Sequence, residues 1–305
     1  MQQEKTGETI EKYLATAMKN AALISSLETS NYSRSARTDA KVSSLGTIVS
    51  MWVRSRLPPH RESCILPWNG MLKSNQRTTI PIPPNMNTIG ELPYALMINQ
   101  NLPPEIRVID WAPVHNHFNA RHYCRERTYH YLFDGTNLDI PAIQKATEYL
   151  VGSHNFKNLC KINKNQPESY YLRSISSISI TSVPHEFLKL FRLQVSAPSF
   201  IWHQIRAIMK LLYLVGEKKY PPEFMGQALR ATKTLSFGYS AANPLCLANC
   251  KYDDQFQWSR LEDTVESYVF KDIQDKLRND LIRGTCTQIF EKAAWQMIHQ
   301  KPIRL

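Results

Sequence analysis

The chain has 305 residues, 43% hydrophobic and 21% charged, with 37 Lys and Arg against 26 Asp and Glu and a net charge of +11. That length builds one large or two modest domains, and the positive excess favours a polyanionic partner through long-range attraction and counterion release. No apolar run approaches the roughly 20 residues of a bilayer span, and six cysteines without a CxxC pair read as neither a disulfide framework nor a zinc site.

The first residues mix acids and bases around no apolar core, unlike a signal or transit peptide. The expectation is therefore a reducing compartment, cytosol or nucleus, and no membrane partner. Apolar residues at Ile10, Leu14, Ala17, Met18, Ala21 and Ala22 share one face and predict a helix over 8–24. Val49, Met51 and Val53 alternate with Ser50 and Arg54, predicting a half-buried strand over 47–54. Residues 57–93 are rich in Pro, Asn, Ser and Thr and read as one long connection. A second strand follows, with Arg127, Tyr129, Tyr131 and Phe133 on one face by the two-residue period.

Asp139 and Pro141 mark a helix start, and that helix is expected to stop at Gly152. Strands over 173–183 and 187–197, joined at Pro184-His185-Glu186, predict an antiparallel hairpin. Ile201, Ile205, Ile208, Met209 and Leu212 predict a helix over 199–215 with Gly216 as a left-handed stop. A last strand is expected over 244–251, and two helices over 262–300 broken near Gly284. Helices alternating with antiparallel strands imply an α+β fold and not a doubly wound parallel one.

The most informative segment is Ser33-Arg34-Ser35-Ala36-Arg37-Thr38-Asp39-Ala40-Lys41-Val42-Ser43. It places one carboxylate beside an arginine in a turn that feeds a strand. An arginine within reach favours the charged carboxylate, which suits Asp39 to nucleophilic or electrostatic work. A turn aspartate that bonds its own backbone is the commoner use of the residue, and these residues alone leave both readings open. His115, His117, His122 and Cys124 match no zinc spacing, and Cys246 with Cys250 read as small buried strand residues.

Further segments accompany Arg37-Thr38-Asp39 in order: Phe118-Asn119-Ala120-Arg121, Arg127-Thr128-Tyr129-His130-Tyr131, Val151-Gly152-Ser153-His154-Asn155-Phe156 and Phe200-Ile201-Trp202-His203-Gln204-Ile205-Arg206. Together they resemble the TruA family of tRNA pseudouridine synthases from about Glu8 to Trp258. Leu102-Pro103-Pro104-Glu105-Ile106-Arg107-Val108, Cys124-Arg125-Glu126-Arg127 and Phe156-Lys157-Asn158-Leu159-Cys160-Lys161 are similar to the eukaryotic branch acting at positions 38 and 39 of the anticodon stem-loop.

The resemblance implies two similar α/β subdomains with largely antiparallel sheets joined around a basic RNA-binding cleft. They would span 1–117, carrying the catalytic aspartate, and 118–258, with a helical extension over 259–305. It implies tRNA as partner, a homodimer, and neither cofactor nor metal. By the family pattern Asp39 is the catalytic residue, Arg37 helps hold the flipped uridine out, and Tyr129 stacks on the uracil. Arg206 pairs with the aspartate, and Leu245 packs against the base. Arg121, Arg125, Arg127, Lys157 and Lys161 are candidates for phosphate contacts, as backbone recognition of RNA requires several cations.

Two departures stand out. Only Met1 to Gly7 precede the first helix, where the family has a strand, and Lys41 stands where the family usually has Gly. If that position takes a positive φ, a lysine there is strained. These departures keep a second expectation open, a tRNA-binding member of the family that has lost catalysis. A carboxylate hydrolase of a sugar or nucleoside would need a second acid near Asp39, and the matched segments offer none.

Overall fold

The structure is a computed structural model and describes residues 8–56, 90–185, 188–253 and Phe256. The expectations for 1–7, for 57–89, for the Glu186 end of the hairpin turn and for 262–300 lie outside the described residues. In chain order the elements are α1 Ile10–Asn20, β1 Ser33–Arg34, β2 Ser43–Ser44, β3 Val49–Ser50, α2 Tyr94–Asn99, β4 Glu126–Asp134, α3 Ile140–Glu148, β5 Gly152–Asn155, β6 Leu172–Ile175, β7 Ser177–Ser182, β8 Leu190–Ala197, α4 Gln204–Gly216, α5 Phe224–Arg230 and β9 Leu245–Lys251. The fold is α+β, as the alternation of elements implied. Its described residues form two compact units: 8–31, 52–56, 90–116 and Phe256 in the first, 32–51, 117–185 and 188–253 in the second. The segment carrying Asp39, 32–51, thus belongs with residues from 117 onward and not with the described residues before 32 or from 52 to 116.

In the first unit, the Thr9 hydroxyl accepts from Lys12 N–H to open α1, and Ala17 and Met18 are its buried face. The helix ends without glycine. Ala22 takes φ 53° while Leu23 N–H donates to Met18 and Ala22 N–H to Lys19, the two hydrogen bonds of a left-handed stop. The strand expected over 47–54 shrinks to Val49–Ser50, which belongs to the second unit. Beyond it, Trp52 and Arg54 each donate one bond to a loop carbonyl, Ser30 and Leu23, so no ladder continues. In α2, the Tyr94 hydroxyl donates to Arg54 O at 2.9 Å, and its ring meets Trp111 edge to face at 4.8 Å.

The second unit is built on a five-stranded sheet in the order β2-β9-β4-β8-β7, parallel only between β2 and β9. Tyr129, Tyr131 and Phe133 of β4 are buried together, as their spacing required. Asp139 caps α3, its carboxylate accepting from Ala142 N–H at 3.0 Å. Ile205, Ile208, Met209, Leu211, Leu212 and Val215 of α4 are buried in the same core. Burying an aliphatic side chain is worth about 1.5–3 kcal/mol, so α4 is a main source of this unit's stability.

Three local expectations are corrected. The strand predicted over 173–183 breaks at Ser176, with β6 pairing to β5 and β7 to β8. The last long helix begins at Gln204 and not at 199, because His203 is left-handed (φ 61°, ψ 11°) and the Gln204 side chain accepts from Ile201 N–H at 2.8 Å. Gly216 is helical. A Cβ there would lie 2.6 Å from Ile143 Cδ1, so glycine serves close packing against α3, and Lys218 at φ 59° makes the left-handed stop.

Candidate active site

Asp39 lies in the loop between β1 and β2, and three local features hold that loop. Ser35 N–H donates to Ile48 O at 2.8 Å, and its hydroxyl accepts from Ile48 N–H at 3.1 Å. Val42 N–H donates to Asp39 O at 3.1 Å across a four-residue turn whose third residue, Lys41, has φ 67°. The position therefore does take the positive φ that favours glycine. Downstream, β2 pairs along the edge of β9 beside a bulge in the β4–β9 ladder. Gly46 is required at that approach, since a Cβ would sit 2.8 Å from Ala248 O.

The Ser35 carbonyl also accepts from Arg127, which donates through Nε (3.2 Å) and Nη2 (2.7 Å). The same guanidinium bonds the carbonyls of Arg121 (3.0 Å), Cys124 (3.1 Å) and Pro198 (2.6 Å). Arg127 was a phosphate candidate; it is instead a staple that ties the Asp39 loop to β4 and to the entry of α4. A planar fork of five donors suits that task, and lysine has no equivalent.

Arg206, on the first turn of α4, meets Asp39 as expected, with Nη1 3.7 Å from Oδ2. Its Nε donates to Ser240 O at 2.9 Å, and Ser240 N–H donates back to Arg206 O at 3.0 Å, which aims the guanidinium. Sequence reasoning missed a closer neighbour. His203 Nε2 is 3.4 Å from Asp39 Oδ2 and 3.2 Å from Arg206 Nη1. Side-chain exposure at this corner is 25% for Asp39, 17% for Arg206 and 15% for His203, so the carboxylate is reachable while both partners are largely enclosed.

Burial pulls the His203 imidazole below its ordinary range, opposed by Asp39 and helped by Arg206 and Lys161, which disfavours the imidazolium. Its ring is flanked by Tyr239 at 4.7 Å and Trp202 at 5.1 Å, and Lys161 Nζ stands 3.9 Å over the Trp202 ring. Tyr239 was also missed. Nothing in its local pattern marks it, since its segment is irregular and is held by Asn158, which bonds Ala228, Ala231, Lys233 and Leu235.

Tyr129 is buried on β4 with its ring edge-on to Phe200 at 5.2 Å. Burial raises its phenol far above the ordinary range, and Asp39 is among the charges that raise it further. Leu245 is buried at the start of β9 opposite Tyr131. Arg37 and Arg121 are exposed. Arg121 is presented by a segment fixed where Ala120 N–H donates to Ser33 Oγ at 2.8 Å and Tyr252 donates to Ala120 O at 2.6 Å. Arg125 pairs with Asp253 and Lys157 with Glu168 at 2.8 Å. Among the described residues no group of three His, Cys, Asp or Glu side chains is placed to hold a metal ion. No described helix is long and apolar enough to cross a membrane.

The second unit thus sets one carboxylate against an arginine and an imidazole. Residues 146–253 match the family described as tRNA pseudouridine synthase. A tRNA pseudouridine(38/39) synthase of Bos taurus is 34% identical over 263 residues, covering 83% of this chain and 52% of the relative. A probable tRNA pseudouridine synthase of Caenorhabditis elegans is 32% identical over 280 residues, 88% of this chain and 67% of its own length. A tRNA pseudouridine synthase A of Archaeoglobus fulgidus is 30% identical over 200 residues, 65% and 70% respectively. The chain belongs to the tRNA pseudouridine synthase family. It spans about half the length of the curated mammalian relatives it matches.

Proposed function

We propose that this chain isomerises uridine to pseudouridine in the anticodon stem-loop of tRNA, at positions 38 and 39, with Asp39 as the catalytic group. The observation that carries the reading is the partly open carboxylate of Asp39 faced by Arg206 and His203. The choice of positions is supported by the relatives named as tRNA pseudouridine(38/39) synthases.

The reaction breaks the N1–C1′ glycosidic bond, turns the uracil and forms a C5–C1′ bond, after which the C5 proton leaves and N1 takes one up, so that no atom is gained or lost. A carboxylate serves it by covalent attack or by stabilising positive charge on the sugar. Arg206, aimed by Ser240, sets a positive charge 3.7 Å from the carboxylate. The target uridine must leave its stack, at a cost of a few kcal/mol, and Arg37, exposed on the same loop as Asp39, is assigned to hold it out. Arg121 contacts the RNA backbone, and Leu245 packs against the base. Tyr129 remains a neutral phenol, so it relays the C5 proton only by surrendering its own as it takes one. A hydrolase working with paired acids is not favoured, because the groups facing Asp39 are a histidine and an arginine.

Pseudouridine mapping at single-nucleotide resolution on unmodified tRNA transcripts tests the proposal. Product at positions 38 or 39 is expected with this chain, and Asp39→Ala should lower the rate at least ~10³-fold while tRNA binding stays within a few-fold. Binding without product from the parent chain would replace the proposal with a catalytically impaired tRNA-binding protein. The proposal includes a homodimer in cytosol or nucleus, which light scattering and imaging of a tagged chain decide.

A further inference from the structure

We infer that Trp202 and Tyr239 form a stacking subsite for the two unpaired bases on the loop side of the target uridine, and that Lys161 meets a phosphate of that strand. The inference rests on the isomerase reading and adds to it a contact with RNA outside the reacting nucleotide.

Trp202 and Tyr239 are each 41% exposed. Both rings touch His203, at 5.1 and 4.7 Å between centroids, and His203 Nε2 is 3.4 Å from Asp39 Oδ2. A single exposed aromatic residue is ordinary. Two that share one neighbour of the proposed catalytic carboxylate make a patch beside the place where the target uridine is turned out.

Both rings are also anchored. Lys161 N–H donates to Trp202 O at 2.8 Å, and the Lys161 ammonium stands 3.9 Å over the Trp202 ring. Tyr239 precedes Ser240, whose N–H and carbonyl are both bonded to Arg206, and Arg206 Cζ lies 5.9 Å from the centre of the Tyr239 ring. Rings fixed before a ligand arrives lose little further freedom on stacking, which favours binding.

Charge and shape select the occupant. Each ring has a cation beside it, in a chain of net charge +11. Arg125 and Lys157 are paired with carboxylates, whereas Lys161 is paired with none among the described residues. A second copy of so basic a chain is disfavoured on this patch. A single strand of RNA suits it, since base faces stack on rings while phosphates meet cations. Bases within a duplex have both faces covered by their neighbours, so the nucleotides that fit are the unpaired ones running from the target into the loop.

Anticodon stem-loop RNA with an abasic nucleotide at the first or the second loop-side position, bound to this chain and to Trp202→Leu, Trp202→Phe and Tyr239→Leu, tests the subsite. The parent should bind each abasic RNA about 5- to 100-fold more weakly than intact RNA, the range for one lost stack on an aromatic ring. Trp202→Leu should weaken intact RNA by a similar factor and then ignore, within about twofold, the abasic change at one position. Tyr239→Leu should ignore it at the other. Trp202→Phe keeps a ring face and should bind within about fivefold of the parent. Losses that multiply at both positions, abasic RNA bound by the parent like intact RNA, or Trp202→Phe as weak as Trp202→Leu would overturn the inference. Should a variant fail to fold, the parent decides alone: 2-aminopurine at either position should be quenched on binding, and a rise at either refutes stacking. Light scattering in which Trp202→Leu separates a self-associated parent would put a second copy on the rings and also overturn it. Coupling without product from the parent would sink the isomerase reading and leave the subsite standing; product with multiplying losses would do the reverse.

Discussion

The body of α4 and the corner at its N-terminus are adjacent in sequence and opposite in character. From Ile205 to Val215 the helix repeats its apolar positions and buries them, with backbone hydrogen bonds satisfied locally. At the corner, His203 and Lys41 are both left-handed without being glycine, His203 Nδ1 and Ser240 Oγ are buried without a hydrogen-bond partner among the described residues, and three ionisable groups crowd within 4 Å. Regular packing there would be more stable. The difference teaches that the stability of this unit comes from one region and its proposed reactivity from the other, and that the first holds the second in an unfavourable conformation.

The contrast can be broken from either side. The largest change in stability is expected from Leu211→Ala, which empties a fully buried position in α4 and should cost about 2–5 kcal/mol. Denaturant titration should show it, while the rate per folded molecule at low temperature stays near the parent's. Equal losses of rate and stability would mean that the two regions are not separable.

Gly46→Ala comes next. Its Cβ would meet Ala248 O at 2.8 Å and Asn249 Cα at 2.9 Å, both backbone atoms that cannot rotate away. A cost of about 1–3 kcal/mol is expected, accompanied by at least a tenfold loss of rate because the Asp39 loop is displaced. A variant of parental rate would show that the loop is placed independently of its anchor on β9. The smallest effect is a gain: Lys41→Gly removes the left-handed strain and should stabilise by up to about 1 kcal/mol, read as a small rise in melting temperature. If a loss of tRNA affinity accompanies it, the lysine amine is a phosphate contact.

Legibility followed the same division. Period-two burial in β4 and the stripe of α4 were plain, because each residue there reports the face it occupies. The helix ends were not. Ala22 and Lys218 make left-handed stops without glycine, and Gly216, which looked like one, is kept small by Ile143. Asp39 with Arg206 emerged from ordered motifs, whereas Arg127 was misjudged because a cation on a strand gives no local sign that four carbonyls will converge on it. His203 stood in a quoted motif and was passed over, since its place beside Asp39 goes with a left-handed backbone angle that the motif does not announce.

By itself the sequence determined the α+β class, the family, the buried faces of β4 and α4, and the aspartate around which the proposed chemistry turns. These are properties of local periodicity and of residue types in order. Only the tertiary structure decided that 32–51 packs with 117 onward, that Arg127 is a staple, and that an imidazole stands closer to Asp39 than its arginine does. Those facts depend on contacts between residues far apart in the chain, and on two left-handed residues whose side chains would favour another conformation if the fold did not compel this one.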